Sequence, residues 1–265
     1  MSARERMIRV YDRAMQSGEQ RRYYENSGYF NFGYWAGPAG SQRDACESLV
    51  DRLVARIATR QGRILDVACG LGASTLRLEQ TFPPDRITGI NISEAQVLDA
   101  RVRAPRCDFR VMNATELDFP EDHFDAVMCV EAAFHFDTRD TFLKEAFRVL
   151  KPGGSLVLSD ILFRNFVRLW AEAAQVPRAN LVTSIDEYRN RMTAAGYVGV
   201  EVTDATTECL GGFCGNLRRY GDVERRAGRM RLLRSLGAGL VSRMIAGYFG
   251  AACKSYLLVS ARKPW

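Results

Sequence analysis

The run Ile64-Leu65-Asp66-Val67-Ala68-Cys69-Gly70-Leu71-Gly72-Ala73-Ser74-Thr75 constrains this chain more than any other stretch. Ile64 to Val67 reads as a buried strand, which turns sharply on Gly70 and Gly72 and continues into a helix carrying Leu76 and Leu78. In an α/β sheet such a turn lies outside the carboxyl end of a strand and beside a helix N-terminus, where these folds bind nucleotides. Glycine suits the turn because a side chain would hold a ligand away from the backbone N–H groups. Asp66 before the turn, Gly89 and Asn91 at the end of the next strand, and a third strand ending near Met112-Asn113-Ala114 sharpen the pattern.

Around this run the chain alternates. Strands are expected at Arg63 to Val67, Arg86 to Asn91, Asp108 to Met112, Phe124 to Val130 and Ser155 to Ser159. Helices fall between them, one capped by Ser93 and another from Thr138 to Leu150 that stops at Lys151-Pro152-Gly153-Gly154. Repeated β-α units of this length mean a mostly parallel sheet with helices on both faces. Arg6 to Tyr24 and Ser41 to Ala58 read as amphipathic helices on either side of the aromatic segment Tyr29-Phe30-Asn31-Phe32-Gly33-Tyr34-Trp35 and a turn at Gly37-Pro38-Ala39-Gly40. That aromatic flap either packs on the domain or closes over a ligand and excludes water.

After Asp160 the rhythm changes. A helix at Asp186 to Ala195 and a strand at Tyr197 to Thr203 precede the strandless stretch Thr207 to Gly250, and a last strand follows at Ser255 to Ser260. Leu232, Leu233, Leu236, Leu240, Met244 and Tyr248 share one helix face, expected to pack on the domain as a lid in preference to serving as a membrane-surface helix or a carrier-protein docking site. The division that follows is residues 1–40 as N-terminal helix and flap, 41–206 as catalytic core, 207–250 as helical lid over the substrate site, and 251–265 as final strand.

Composition excludes several classes. The seven cysteines form no C-x-x-C pair and sit in apolar runs, which fits reduced core thiols rather than a disulfide frame or zinc. The net charge of +6 comes with many arginines between Arg218 and Arg234 but with no nucleic-acid-binding signature. No apolar run is long enough to cross a bilayer, and the polar start at Met1 has no signal-peptide core, so a cytoplasmic protein is expected. Hydride transfer is disfavoured because the third glycine of the dinucleotide fingerprint is missing.

Taken together, ILDVACGLGAST, ITGINISEAQV, the stretch from Asn113 to Pro120, FDAVMCVEAAFHF and EAFRVLKPGG resemble the class I S-adenosylmethionine-dependent methyltransferases, specifically their small-molecule branch acting on natural products and sugars. The resemblance implies a Rossmann-like, doubly wound, mostly parallel seven-stranded sheet with a helical lid, and S-adenosyl-L-methionine as cofactor. It places Asp66, Ala68, Gly70 and Gly72 at the methionine end, with Asn31 or Tyr34 reaching the carboxylate from the flap. Asn91 stands where most relatives carry an acid gripping the ribose hydroxyls, and Gln96 lies over the nucleoside. Asn113 replaces a common aspartate near the adenine, with Ala114 beside the ring, and Glu131 is a strand-end hydrogen-bonding residue near the cofactor.

The implied activity is methylation of a hydroxyl on a polyketide, peptide or glycoside, with His135 as general base and Asp160 orienting it or binding substrate. The alternatives are N- or C-methylation, or a non-methylating cyclase of the same fold. The acceptor is a small molecule, free or delivered on a carrier protein; no metal, nucleic acid or membrane span is expected, and the oligomeric state, a dimer included, stays open. His123, in the polar turn Glu121-Asp122-His123, is expected at the surface.

Overall fold

A computed structural model describes residues 3–37, 40–169 and 175–265; Met1, and Pro38 and Ala39 of the expected turn, lie outside the described residues. In chain order the elements are α1 (Ala3–Gln16), α2 (Gly18–Tyr23), α3 (Gln42–Val54), β1 (Ile64–Val67), α4 (Ala73–Leu78), β2 (Ile87–Asn91), α5 (Glu94–Arg103), β3 (Asp108–Val111), β4 (Phe124–Val130), α6 (Arg139–Val149), β5 (Leu150–Phe163), α7 (Ile185–Ala194), β6 (Val198–Asp204), α8 (Gly212–Arg226), α9 (Leu232–Ala252) and β7 (Cys253–Arg262). The strands form one sheet in the order β3-β2-β1-β4-β5-β7-β6. Only β7 runs antiparallel to its neighbours, β5 and β6.

Alternation along each central strand explains why both faces of the sheet are covered. Ile64, Met128 and Val157 point into one apolar layer with Leu49 and Leu53 of α3 and Phe213 of α8. Their chain neighbours Leu65, Val127, Cys129 and Leu156 point into the other, with Phe142 and Leu143 of α6 and Met192 of α7. Successive strand residues face opposite sides, so two cores demand the continuous apolar runs seen in the sequence. The strand order reverses between β1 and β4, which opens a crevice at their carboxyl ends.

Four expectations change. The first helix breaks at Ser17, whose side chain accepts the Gln20 N–H and caps α2. Strand β5 runs through Lys151-Pro152-Gly153-Gly154, where Gly153 and Gly154 exchange backbone hydrogen bonds with Lys263, and on past Ser159, where β7 pairs with it as far as Phe163. Asp160 therefore lies inside a strand instead of ending one. In the helical hairpin α8–α9, Leu233, Leu236, Leu240 and Met244 face solvent, while Ser235, Gly239, Ser242 and Ala246 are buried. Finally, His123 is half-buried, stacked on Phe119 and edge-on to Phe124.

Candidate active site

The crevice at the switch point is a cavity of about 820 Å³. Its floor comes from the turn after β1 (Ala68, Cys69, Gly70) and the end of β2 (Asn91), and one wall from the segment after β4 (Glu131 to Phe136). Helix α1 covers it with Ile8, Tyr11, Ala14 and Met15, and α9 adds Val241, Ile245 and Tyr248.

The β1–α4 turn is built on three left-handed residues, Ala68, Gly70 and Gly72, with φ of 58°, 55° and 80°. For Ala68 this conformation costs about 1 kcal/mol, since its Cβ crowds the backbone. The glycines serve different ends. A Cβ on Gly70 would meet only Met15, at 3.8 Å, which leaves the backbone open to the cavity. A Cβ on Gly72 would lie 2.9 Å from Ala100, so that glycine is required for packing α4 against α5. Asp66 is buried, and its Oδ2 accepts the Ser74 and Thr75 hydroxyls, both at 2.7 Å, which locks β1 to the start of α4. Burial lifts its carboxyl to about 6 against the two hydroxyl bonds. Its Oδ1 is buried with no partner among the described residues, an orphan acceptor of the kind an ammonium group satisfies.

Asn91 and Gln96 form a closed polar network at the β2–α5 corner. Asn91 Nδ2 donates to Gln96 Oε1 (3.1 Å), and Asn91 Oδ1 accepts the Ser93 N–H (2.9 Å). The sequence does not foreshadow the fourth member, Asp12 of α1. One of its oxygens accepts both the Ser93 hydroxyl (2.7 Å) and Gln96 Nε2 (2.8 Å). A carboxylate thus stands at the corner whose strand carries only an amide.

His135 follows β4 on a short turn, Ala133–His135. Its Nδ1 lies 2.7 Å from the Gln175 carbonyl, and since a carbonyl only accepts, Nδ1 carries the proton. Nε2 is then the lone-pair nitrogen, and the Tyr11 hydroxyl donates to it. Burial holds the imidazole down at about 4, with the Gln175 and Asp160 contributions opposing and Arg139 assisting, so it is neutral at physiological pH.

Asp160 does not orient this ring. Its Oδ2 accepts Arg139 Nε (2.7 Å) and the Tyr188 hydroxyl (2.8 Å) in a fully buried ion pair. Arg139 in turn donates to the Asn180 carbonyl (2.6 Å), and Asn180 Nδ2 donates to the carbonyls of Phe134 (3.0 Å) and Phe136 (2.6 Å). The carboxylate steadies the turn that bears His135 through two intermediaries, which follows from its place within β5.

Glu131 has φ of 53° and lines the cavity. Its Oε2 accepts the Phe32 N–H (2.9 Å) and the Tyr256 hydroxyl (2.7 Å). Burial pushes its carboxyl up to about 8, more than those two bonds lower it. The flap is thereby pinned to the core: Phe32 stacks on Phe213 at 4.3 Å, and Gln42 donates to the Asn31 and Phe32 carbonyls, each at 3.2 Å. Asn31 borders the cavity, but Tyr34 does not; the Arg52 guanidinium sits over its ring at 3.8 Å and holds it outside. Asn113, which accepts the Thr115 N–H, and Ala114 flank the end of β3 and do not line the cavity either.

The family described as "Methyltransferase domain" matches residues 65–158. The chain is 36% identical to 27-O-demethylrifamycin SV methyltransferase of Amycolatopsis mediterranei over 62% of its own length and 64% of that enzyme, just under two thirds. It is 30% identical to erythromycin 3''-O-methyltransferase of Saccharopolyspora erythraea over 73% of its own length and 72% of that enzyme. The chain belongs to the S-adenosylmethionine-dependent methyltransferases. Two solved structures share the fold of this methyltransferase. The cyclase SpnF matches with a TM-score of 0.75 at 23% identity, over 100% of this chain and 97% of that one. Geranyl diphosphate C-methyltransferase from Streptomyces coelicolor matches with a TM-score of 0.72 at 16% identity, over 99% and 98%.

Proposed function

We propose that this methyltransferase modifies a hydroxyl group of a carbon-rich secondary metabolite, with His135 Nε2 receiving the hydroxyl proton. The observation that carries the reading is the tautomer of His135 in the cavity wall: Nδ1–H is committed to a backbone carbonyl, which leaves Nε2 as the basic nitrogen, met by the hydroxyl of Tyr11, itself a cavity-lining residue. When bound, S-adenosylmethionine supplies a methyl group on a positively charged sulfur. Asp66, Gly70 and Asn31 hold its amino-acid end, and Asp12, Asn91 and Gln96 hold the ribose. Tyr11 keeps water off Nε2 until an acceptor hydroxyl replaces it.

The walls favour an apolar acceptor, since Ile8, Phe134, Ile161, Phe163, Val241 and Ile245 outnumber the charged groups. The relatives named for 27-O-demethylrifamycin SV and for erythromycin support a large natural-product acceptor bearing a hydroxyl. The test is incubation with S-adenosylmethionine and a panel of polyketide, peptide and glycoside alcohols, followed by mass and NMR analysis of the product. A new O-methyl resonance is expected.

Glu131, a carboxyl in the cavity wall, favours the second reading, N- or C-methylation with no role for His135. A methyl on nitrogen or carbon would establish it. Cofactor binding without release of S-adenosylhomocysteine would instead point to a non-methylating cyclase.

A further inference from the structure

Helix α9 is built inside out for a protein surface. It meets α8 through Ser235, Gly239, Ser242 and Ala246, and the approach is so close that a Cβ on Gly221 would lie 2.4 Å from the Ser235 carbonyl oxygen. With the small residues in the seam, the large ones face out: Leu233, Leu236, Leu240 and Met244 are 84%, 60%, 60% and 68% exposed. These four lie within about 80° of one another on the helix circumference and form one contiguous aliphatic patch.

Charge gathers on the same hairpin. Residues 207–252 hold eight arginines against Glu208, Asp222 and Glu224, so nearly all of the chain's net charge of +6 sits there. Helix α9 itself contains Arg234 and Arg243 and no acid; the two arginines flank the patch on opposite edges, Arg234 on the cavity side, and each makes only a long, exposed ion pair with a neighbouring helix, Arg234 with Glu19 (3.5 Å) and Arg243 with Asp222 (3.8 Å). The patch also continues over the rim of the active-site cavity. Val241, Ile245 and Tyr248 are exposed at 55%, 40% and 50% and line the cavity as well; Val10 of α1 does the same from the other side.

We infer that the outward face of α9 lies on an anionic phospholipid surface. The aliphatic side chains enter the acyl boundary, the arginines meet the headgroups, and the cavity mouth opens toward the lipid. This assignment is independent of the acceptor atom. A bilayer covers protruding aliphatics without needing a matching shape, and its phosphates pair with the arginines. A two-fold contact with a second copy would instead set basic faces against each other with no acid on α9 to pair them. Among the described residues no helix is long and apolar enough to cross a membrane, so the association is interfacial.

The test is flotation of the full chain with phosphatidylcholine vesicles and with vesicles that also contain phosphatidylglycerol, at low and high salt. At least tenfold tighter binding to the anionic vesicles is expected, weakening as salt rises. Leu236→Glu combined with Leu240→Glu should reduce that binding at least tenfold while the melting temperature and the heat of S-adenosylhomocysteine binding stay unchanged. Arg234→Ala combined with Arg243→Ala should weaken binding to the anionic vesicles alone, about fivefold for each arginine. Three results would overturn the assignment. One is equal partitioning onto both vesicle types. Another is a dimer in light scattering that the leucine substitutions dissolve. The third is saturable binding of an acidic carrier protein, lost in the same leucine variant, by a chain that ignores vesicles.

Discussion

His135 is held at both nitrogens by groups from distant parts of the chain, and each contact has a separate consequence. The Gln175 carbonyl fixes the tautomer, and Tyr11 occupies the basic nitrogen. His135→Ala should lower turnover about a hundredfold, within the usual range for loss of a general base. Heat of S-adenosylhomocysteine binding should be unchanged, because none of the cofactor-corner hydrogen bonds involves this ring. Equal loss of binding and turnover would show that the ring shapes the cofactor site instead. Asp12 gives the converse test. Its carboxylate accepts two hydrogen bonds at the β2–α5 corner, and Asp12→Ala removes the only acid of that network. Charge-assisted bonds are worth about 1.5–3 kcal/mol, so cofactor affinity should fall tenfold or more by calorimetry while the fold survives, Asp12 lying only partly buried. His135 was visible in the sequence because strand-end position and residue type coincide. Asp12 was not, because nothing local says that α1 crosses the chain to reach α5.

At the scale of elements, periodicity reveals which residues share a face but not which face turns inward. Helix α9 shows the difference. Its large residues form the more obvious stripe, yet the seam with α8 is made by the small ones, since only they permit the backbones to approach. Gly221→Ala should therefore push the helices apart and destabilise the protein by about 1–3 kcal/mol, the usual cost of overpacking. Thermal unfolding would register this as a drop of several degrees, and an unchanged melting temperature would mean that the hairpin relaxes freely. Strand β5 gives a second case. Pro152, Gly153 and Gly154 are turn residues locally, but backbone hydrogen bonds between Gly153, Gly154 and Lys263, just beyond β7 and about a hundred residues away in the chain, hold them to the sheet. Strands β1, β2 and β4 were legible because burial on both faces leaves a continuous apolar run that no surface element shares.

Across the whole molecule, the resemblance implied a mostly parallel seven-stranded sheet, but the order β3-β2-β1-β4-β5-β7-β6 was not legible in the sequence, because crossovers bring together strands that carry no mark of their partners. Glu131 binds that topology together at one point: it directly follows β4, accepts the Phe32 N–H from the flap and accepts the Tyr256 hydroxyl from β7. Its carboxyl rises from 4.5 to about 8 on folding, chiefly through burial. Between those values the folded chain keeps a proton that the unfolded chain has shed. The stabilisation is therefore complete below about pH 4.5 and is lost as pH rises through 8. His135 works in the opposite sense: its folded value of about 4 lies below the ordinary 6.5, so its share is present above 6.5 and lost as pH falls through 4. Glu131→Gln isolates the first effect, since the amide oxygen still accepts both hydrogen bonds and cannot ionise. The variant should match the parent at pH 5 and melt several degrees higher at pH 8, a gap on the order of a few kcal/mol. A constant difference between the two melting curves from pH 5 to pH 8 would mean that the carboxyl ionises in the folded chain as readily as in the unfolded one.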